Sequence, residues 1–136
     1  MRLLVSLVFL SMILFSAELN WSNDYNKTLL KAKKENKPVY ILITSQSCKW
    51  CIKFENTTLQ DKNIKKRLHS QFMTLHLSRE KDYIPSKFKT APVPRHYFVD
   101  SNGDILYMAL GYRDVELFDS FMSNAQEKQK SNNTAK

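Results

Sequence analysis

The spacing of apolar residues along this chain predicts two strands in its first half. Residues 39–43 form an uninterrupted apolar run, which is typical of a central strand covered on both faces. Residues 72–77 alternate instead, which predicts a strand with Phe72, Thr74 and His76 on one face.

A hairpin is predicted in the second half. Residues 95–99 and 105–110 have the composition of strands. The Asp-Ser-Asn-Gly turn at residues 100–103 separates them, and such a turn favours a direct antiparallel connection.

Residues 24–37 predict a first helix, for which Ser22 or Asn23 offers an N-cap. Its apolar side would be formed by Leu29, Leu30 and Ala32. Residues 48–69 predict a second helical segment, broken near residues 56–61. Its buried side would consist of Phe54, Leu59, Ile64 and Leu68.

Two further helices are predicted. A short one is expected around residues 83–88, in the loop before the hairpin. The last begins after Asp114, an N-cap residue. Its apolar positions follow a period of 3.6 residues and are Val115, Phe118, Phe121, Met122 and Ala125. The predicted order is therefore α-β-α-β-α-β-β-α, an α/β three-layer sandwich with a mixed four-stranded sheet.

The chain of 136 residues predicts one folded domain with a distinct segment at each end. Residues 1–17 contain Arg2 followed by an apolar run and small residues, the pattern of a secretory signal. An uncleaved membrane anchor is the alternative, although the run is short for a span. The domain is expected at residues 18–127, and residues 128–136 predict a disordered polar tail because they lack an apolar face.

The net charge of +8 does not by itself indicate a nucleic-acid partner. The lysines are scattered through the predicted helices, and no nucleic-acid motif or aromatic-basic strip accompanies them. A solvated basic surface is therefore expected, with contact to a membrane only through the N-terminal signal.

Cys48 and Cys51 are the only cysteines, and they lie between a predicted strand and a predicted helix. A disulfide that closes so short a loop stabilises a fold little, so the spacing indicates redox chemistry rather than a structural link. Cys48 is the expected nucleophile, because a helix N-terminus and the charge of Lys49 favour its thiolate. Cys51 would resolve the mixed disulfide, and Trp50 would offer substrate an apolar platform.

A metal site is the alternative use of the two thiols. Zinc needs about four ligands, and besides the cysteines the chain offers only His69, His76 and His96. His69 and His76 are expected far from the dithiol, whereas His96 can approach it. No cofactor is expected, since the cysteines are themselves the redox group.

These motifs resemble the thioredoxin fold over roughly residues 20–127. The resemblance rests on the strand-turn-CxxC-helix unit at residues 39–54 and on Ala-Pro-Val-Pro at 91–94, which precedes the hairpin. It implies that Pro94 is the cis-proline beside the dithiol. It further implies that Val93 and Pro94 form the backbone edge on which a substrate strand pairs.

The run Cys-Lys-Trp-Cys-Ile-Lys-Phe-Glu at residues 48–55 is similar to exported thioredoxin-like proteins of the SoxW type. It is also similar to the periplasmic domain of transmembrane thiol:disulfide interchange proteins. The resemblance implies an exported, periplasmic oxidoreductase that reduces protein disulfides and receives electrons from a membrane or soluble thiol donor. A disulfide-donating oxidase of the same fold is one alternative, and a thioredoxin-like binding module or copper-handling protein is another.

The chain departs from thioredoxin at two places. Leu42 stands where thioredoxin has a buried acid, so proton transfer would need water or another group. Lys49 and Trp50 replace the Gly-Pro pair inside the motif, and Ser47 replaces the preceding Trp. The reduction potential of thioredoxin therefore does not carry over.

Overall fold

The computed structural model describes residues 18–135. The segment predicted to be a signal, residues 1–17, lies outside the described residues. The elements in chain order are α1 (Tyr25–Glu35), β1 (Val39–Thr44), α2 (Lys49–Asn56), a 3₁₀ turn (Thr58–Gln60), α3 (Lys62–Gln71), β2 (Met73–Ser78), β3 (Arg95–Val99), β4 (Ile105–Leu110) and α4 (Val115–Thr134).

The four strands form one mixed sheet in the order β2-β1-β3-β4. β1 runs parallel to β2, with Leu42 opposite His76. β1 runs antiparallel to β3, with Ile43 opposite Arg95, and β3 pairs with β4 through the predicted hairpin. The ends of β1 and β2 and the start of β3 therefore meet at one edge of the sheet.

Two layers of apolar side chains cover the faces of the sheet. On one face α2, α3 and α4 bury Phe54, Leu68 and Phe118 against Tyr40 and other side chains of the sheet. On the other face α1 and the loop before β3 enclose a second cluster of Tyr25, Ala32, Val39, Ile41, Ile43, Leu75, Leu77, Phe88, Tyr97 and Val99. All six residues of β1 are buried, as its continuous apolar run predicts. The predicted three-layer sandwich is confirmed.

The helix starts depend on aspartate caps. The Asp24 carboxylate accepts a hydrogen bond from the N–H of Lys27, so the prediction that Ser22 or Asn23 caps α1 is wrong. Ser22 instead forms a β-bridge with Leu75. Asp61 caps α3 after the predicted break, and Asp114 caps α4 as predicted.

Gly103 fits the hairpin turn for two reasons. Its φ of +86° lies in the left-handed region, which favours glycine. A Cβ at this position would lie 2.6 Å from the Tyr25 hydroxyl, so any side chain would force the Tyr25 ring to move.

Two sequence predictions differ from the structure. Residues 83–88 form no helix; the N–H of Phe88 bonds the carbonyl of Pro85 in a single turn, and the Phe88 ring enters the core. The segment from residue 128, predicted to be disordered, continues α4 to Thr134. Its residues are largely exposed, but each added residue of a formed helix gains a backbone hydrogen bond without a new nucleation cost.

Within residues 18–135, none of the helices combines the length and the apolar character needed to cross a membrane.

Candidate redox-active site

The two cysteines lie where the chain passes from the centre of the sheet into α2. β1 ends at Thr44, a polar turn follows, and Cys48 is the N-cap residue of α2. Cys48 and Cys51 are joined by a disulfide, with their Cα atoms 5.2 Å apart. The sequence-predicted pair is therefore brought together at the start of the helix.

The helix start polarises the first sulfur. The backbone N–H of Cys51 donates a hydrogen bond of 3.1 Å to Sγ of Cys48. N–H groups and the positive end of the helix dipole favour negative charge at this position. In the disulfide Cys48 is 9% exposed, against 1% for Cys51. Cys48 is therefore the more accessible of the two cysteines.

Trp50, between the cysteines, is 48% exposed. Its ring centroid lies 6.1 Å from that of Tyr112, which follows β4. Lys49 Nζ lies 5.4 Å from the Trp50 centroid, and Lys53 Nζ lies 5.2 Å from it. The predicted platform is therefore a surface of aromatic rings and ammonium groups.

Tyr112 is held in place by polar contacts with the segment after α2. Its hydroxyl lies 3.4 Å from Thr57 Oγ1. Hydrogen bonding to Thr57 and Thr58 lowers the pKa of Tyr112 below its usual value, and the charge of Lys53 acts in the same direction. No sequence motif points to Tyr112, which joins the site only through the fold.

Val93 and Pro94 lie at the sheet edge that carries the cysteine turn. The peptide bonds before Pro92 and Pro94 are both cis. Pro94 is buried and its carbonyl accepts a 2.8 Å hydrogen bond from Gly111 N–H. Arg95 pairs with Ile43, so Pro94 lies beside the end of β1. Within residues 18–135, the backbone groups of Val93 have no hydrogen-bond partner.

His96 is a buried structural residue rather than an available ligand. Its Nδ1 lies 2.8 Å from the Tyr40 hydroxyl, and its Nε2 lies 2.9 Å from the Gly111 carbonyl oxygen. A carbonyl only accepts, so Nε2 carries the proton and Nδ1 accepts from Tyr40. Burial lowers the pKa of His96 to about 4, because the hydrogen bond to Gly111 only partly offsets the loss of hydration.

His76, predicted to be far from the dithiol, lines the same cleft as Cys51. The cleft has a volume of about 270 Å³, and Thr44 and Glu55 also line it. His76 Nε2 lies 2.8 Å from Thr44 Oγ1 and 3.5 Å from a Glu55 carboxylate oxygen. The parallel register of β1 and β2 brings His76 here, whereas His69 is exposed on α3.

The described residues 18–135 contain no group of three or more His, Cys, Asp or Glu side chains arranged to hold a metal ion. Leu42, at the position where thioredoxin has an acid, is fully buried and packs with Phe54 and other apolar side chains of the same core cluster. The polar groups near Cys51 are instead those of the cleft.

Comparisons with known proteins agree with this architecture. The solved structure of a DsbH oxidoreductase superposes with a TM-score of 0.67 and 21% identity, over 82% of this chain and 87% of that one. A thioredoxin from Thermus thermophilus superposes with a TM-score of 0.66 and 18% identity, over 77% and 85% of the two chains. At these identities the likeness shows the fold.

A sequence relative matches over a shorter stretch. Fifty residues are 36% identical to spermatogenesis-associated protein 20 of Mus musculus, which is 37% of this chain and 6% of that protein. The chain thus spans only a small part of this relative. Residues 20–101 match the protein family described as thioredoxin-like. Because this match covers more than half of the sequence, the chain belongs to the thioredoxin-like family.

Proposed function

We propose that this protein is an exported thiol:disulfide oxidoreductase that reduces protein disulfides in the periplasm. The observation that carries the proposal is the position of Cys48. Its sulfur caps α2 and accepts the N–H of Cys51, while Cys51 lies one turn further into the helix. This arrangement favours a thiolate at Cys48 and keeps a second thiol within reach of the same sulfur.

In the first step the Cys48 thiolate attacks one sulfur of a partner disulfide. A bond forms between Sγ of Cys48 and that sulfur, the partner S–S bond breaks, and the other partner sulfur leaves as a thiolate that takes up a proton. The product is a mixed disulfide between Cys48 and the partner.

In the second step the Cys51 thiol loses its proton and attacks Sγ of Cys48. The Cys48–Cys51 disulfide forms and the second partner sulfur leaves as a thiolate, so two electrons have passed to the partner. Cys51 is almost fully buried, and the cleft lined by Glu55 and His76 gives its proton a polar route to solvent. This route takes the place of the buried acid that thioredoxin has at the position of Leu42.

Substrate binding is assigned to Trp50, Val93 and Pro94. Trp50 is half exposed beside the dithiol, and the free backbone groups of Val93 allow an extended segment to pair by main-chain hydrogen bonds. Such pairing gives affinity with little dependence on the substrate sequence. Lys49 adds positive charge that supports the Cys48 thiolate.

Two sequence features support the proposed cellular location and direction of the reaction. The N-terminal segment has the pattern of an export signal, and the resemblance to periplasmic interchange domains supports the reducing direction. A reductase in an oxidising compartment must be reduced again after each turnover. We therefore propose a membrane or soluble thiol donor as its second partner.

Trapping tests the function. The full chain carrying Cys51→Ser is mixed with a peptide that contains a single disulfide, and the products are resolved by non-reducing gel and mass spectrometry. A covalent adduct on Cys48 that dithiothreitol releases is expected. Cys48→Ser is the matched control, because it retains one thiol at the buried position. Absence of the Cys48 adduct, or an equal yield on Cys51 in the control, would count against the mechanism.

A further inference from the structure

We propose that Lys49 and Lys53 form a docking surface for acidic side chains next to the target disulfide of a substrate protein. The proposal rests on the function above and specifies its substrate class: proteins whose reducible cysteine has Asp or Glu close by. The surface consists of the two lysines and the rings of Trp50 and Tyr112, and we call it the lysine–aromatic surface.

The two ammonium groups are held over rings beside the dithiol. Lys53 Nζ lies between two aromatic side chains, 5.2 Å from the Trp50 centroid and 4.7 Å from the Tyr112 centroid. Lys49 Nζ lies 5.4 Å from the Trp50 centroid. Cation–π contacts of this length restrict long side chains that otherwise move freely. A substrate therefore meets charges already held in position, at less entropic cost to the complex.

Neither charge is neutralised within the part of the chain that the structure describes. No carboxylate of residues 18–135 lies within ion-pair distance of Lys49 or Lys53. The carboxylate on the same helix, Glu55, is directed to His76 at 3.5 Å. Two neighbouring ammonium groups repel one another, and an incoming carboxylate relieves this repulsion.

The basic surface is narrow, which limits where the acidic residue of a substrate can lie. A cleft of about 520 Å³ that Tyr112 also lines contains Asp61, Asp114 and Glu116 but neither lysine. Asp61 and Asp114 are occupied as caps, accepting backbone N–H groups of α3 and α4. The sign of the surface therefore changes at Tyr112. The favoured acid lies within a few residues of the attacked cysteine.

The test uses three synthetic disulfide peptides that differ only in the residues flanking the reactive cysteine: Asp, Ser or Lys. The reduced full chain is mixed with each oxidised peptide, and the second-order rate constant of a single turnover is measured. We expect the rate constant to be highest for the Asp peptide, intermediate for the Ser peptide and lowest for the Lys peptide. At low salt the Asp peptide should react about ten-fold faster than the Ser peptide, because each of the two lysines contributes about three-fold in rate. This rate ratio should fall at high salt, which screens the charges.

Lys53→Gln identifies the group responsible, and Lys34→Gln is its matched control. Lys34 is an exposed lysine on α1, which covers the opposite face of the sheet. The Asp-to-Ser ratio should fall about three-fold in Lys53→Gln and stay unchanged in Lys34→Gln. A ratio removes any common effect on the reactivity of Cys48.

Four results would overturn the proposal. One is an Asp-to-Ser rate ratio near unity at low salt, although the wild-type chain reduces all three peptides. Another is a ratio that Lys53→Gln leaves unchanged, or that both variants lower equally. In these cases the oxidoreductase function stands. Failure of the chain to reduce any of the three peptides would overturn the proposed function and this proposal with it.

Discussion

The backbone N–H of Cys51 donates a hydrogen bond to Sγ of Cys48 at 3.1 Å. One cysteine thus supplies both the resolving thiol and a donor that stabilises negative charge on the other. The spacing of three residues makes this possible, because an N-cap side chain accepts from the N–H three positions later. The chemistry of the motif is therefore a consequence of where the helix begins.

Reversing the charge inside the motif should reduce the thiolate fraction of Cys48. In Lys49→Glu, a carboxylate replaces an ammonium group on the residue after Cys48, and we expect the reduced protein to react about three-fold more slowly with iodoacetamide near pH 7. Iodoacetamide is uncharged, so its rate follows the thiolate. Lys34→Glu makes the same charge change on α1 and should leave the rate unaltered. An unchanged or faster reaction in Lys49→Glu would show that the charge of Lys49 does not stabilise the Cys48 thiolate.

Removing the carboxylate of the cleft should slow the second step and leave the first intact. Glu55 lines the cleft beside Cys51 and lies 3.5 Å from His76 Nε2. In Glu55→Gln we expect the mixed disulfide to resolve about a hundred-fold more slowly, which is the lower end of general acid–base effects. Stopped-flow mixing followed by acid quench separates the two steps. His69→Gln, on the exposed side of α3, is the control; equal resolution rates in Glu55→Gln and wild type would exclude a role for this group.

Stability should depend on pH through His96. Its pKa is about 4 when folded and about 6.5 when unfolded, so the unfolded state binds the extra proton between these values. The contribution of neutral His96 to the free energy of unfolding is fully present above pH 6.5 and is lost as the pH falls towards 4. The expected loss is about 3 kcal/mol of the free energy of unfolding.

Urea unfolding at pH 7.5, 6, 5 and 4 measures this effect. His96→Gln lacks the titrating ring and should show a smaller fall across the same range, whatever its stability at pH 7.5. The wild type and His96→Gln contain the same carboxylates, so the difference between their curves of stability against pH isolates the effect of His96. Parallel curves would mean that His96 is not held neutral by burial.

Phe54 should contribute strongly to stability, because it joins α2 to the core. Its ring is fully buried and lies 4.8 Å from the His96 ring and 5.1 Å from the Phe118 ring. Phe54→Ala should lower the free energy of unfolding by about 3–5 kcal/mol. Ile52, on the same helix, is 53% exposed, so Ile52→Ala should cost about 0.5 kcal/mol or less. Similar losses in the two variants would contradict the observed packing of α2.

The strands and the dithiol could be predicted because their signals are local. The buried β1 is a continuous apolar run, the hairpin turn has its own residues, and the cysteine spacing is visible in four letters. The helix expected at residues 83–88 shows the limit of such signals. Tyr83, Ile84 and Phe88 have a helical spacing, but Phe88 is instead inserted against Tyr25 and Tyr97 from an irregular loop.

The rest of the site depends on contacts between distant segments. His76 reaches the cleft of Cys51 only through the parallel register of β1 and β2. Tyr112 meets Trp50 only because β4 returns to the edge where α2 begins. Neither residue belongs to a sequence motif. Alternation along residues 72–77 placed His76 on the correct face but gave no distance to the dithiol.

The reduction potential of the Cys48–Cys51 couple tests the central claim most directly. The full chain is equilibrated with glutathione buffers of known ratio, and the oxidised fraction is measured after acid quench and alkylation. A reductase should have a potential near the roughly −270 mV of thioredoxin. A value near the roughly −120 mV of the strongest periplasmic oxidants would contradict the proposed direction and make this protein a disulfide donor.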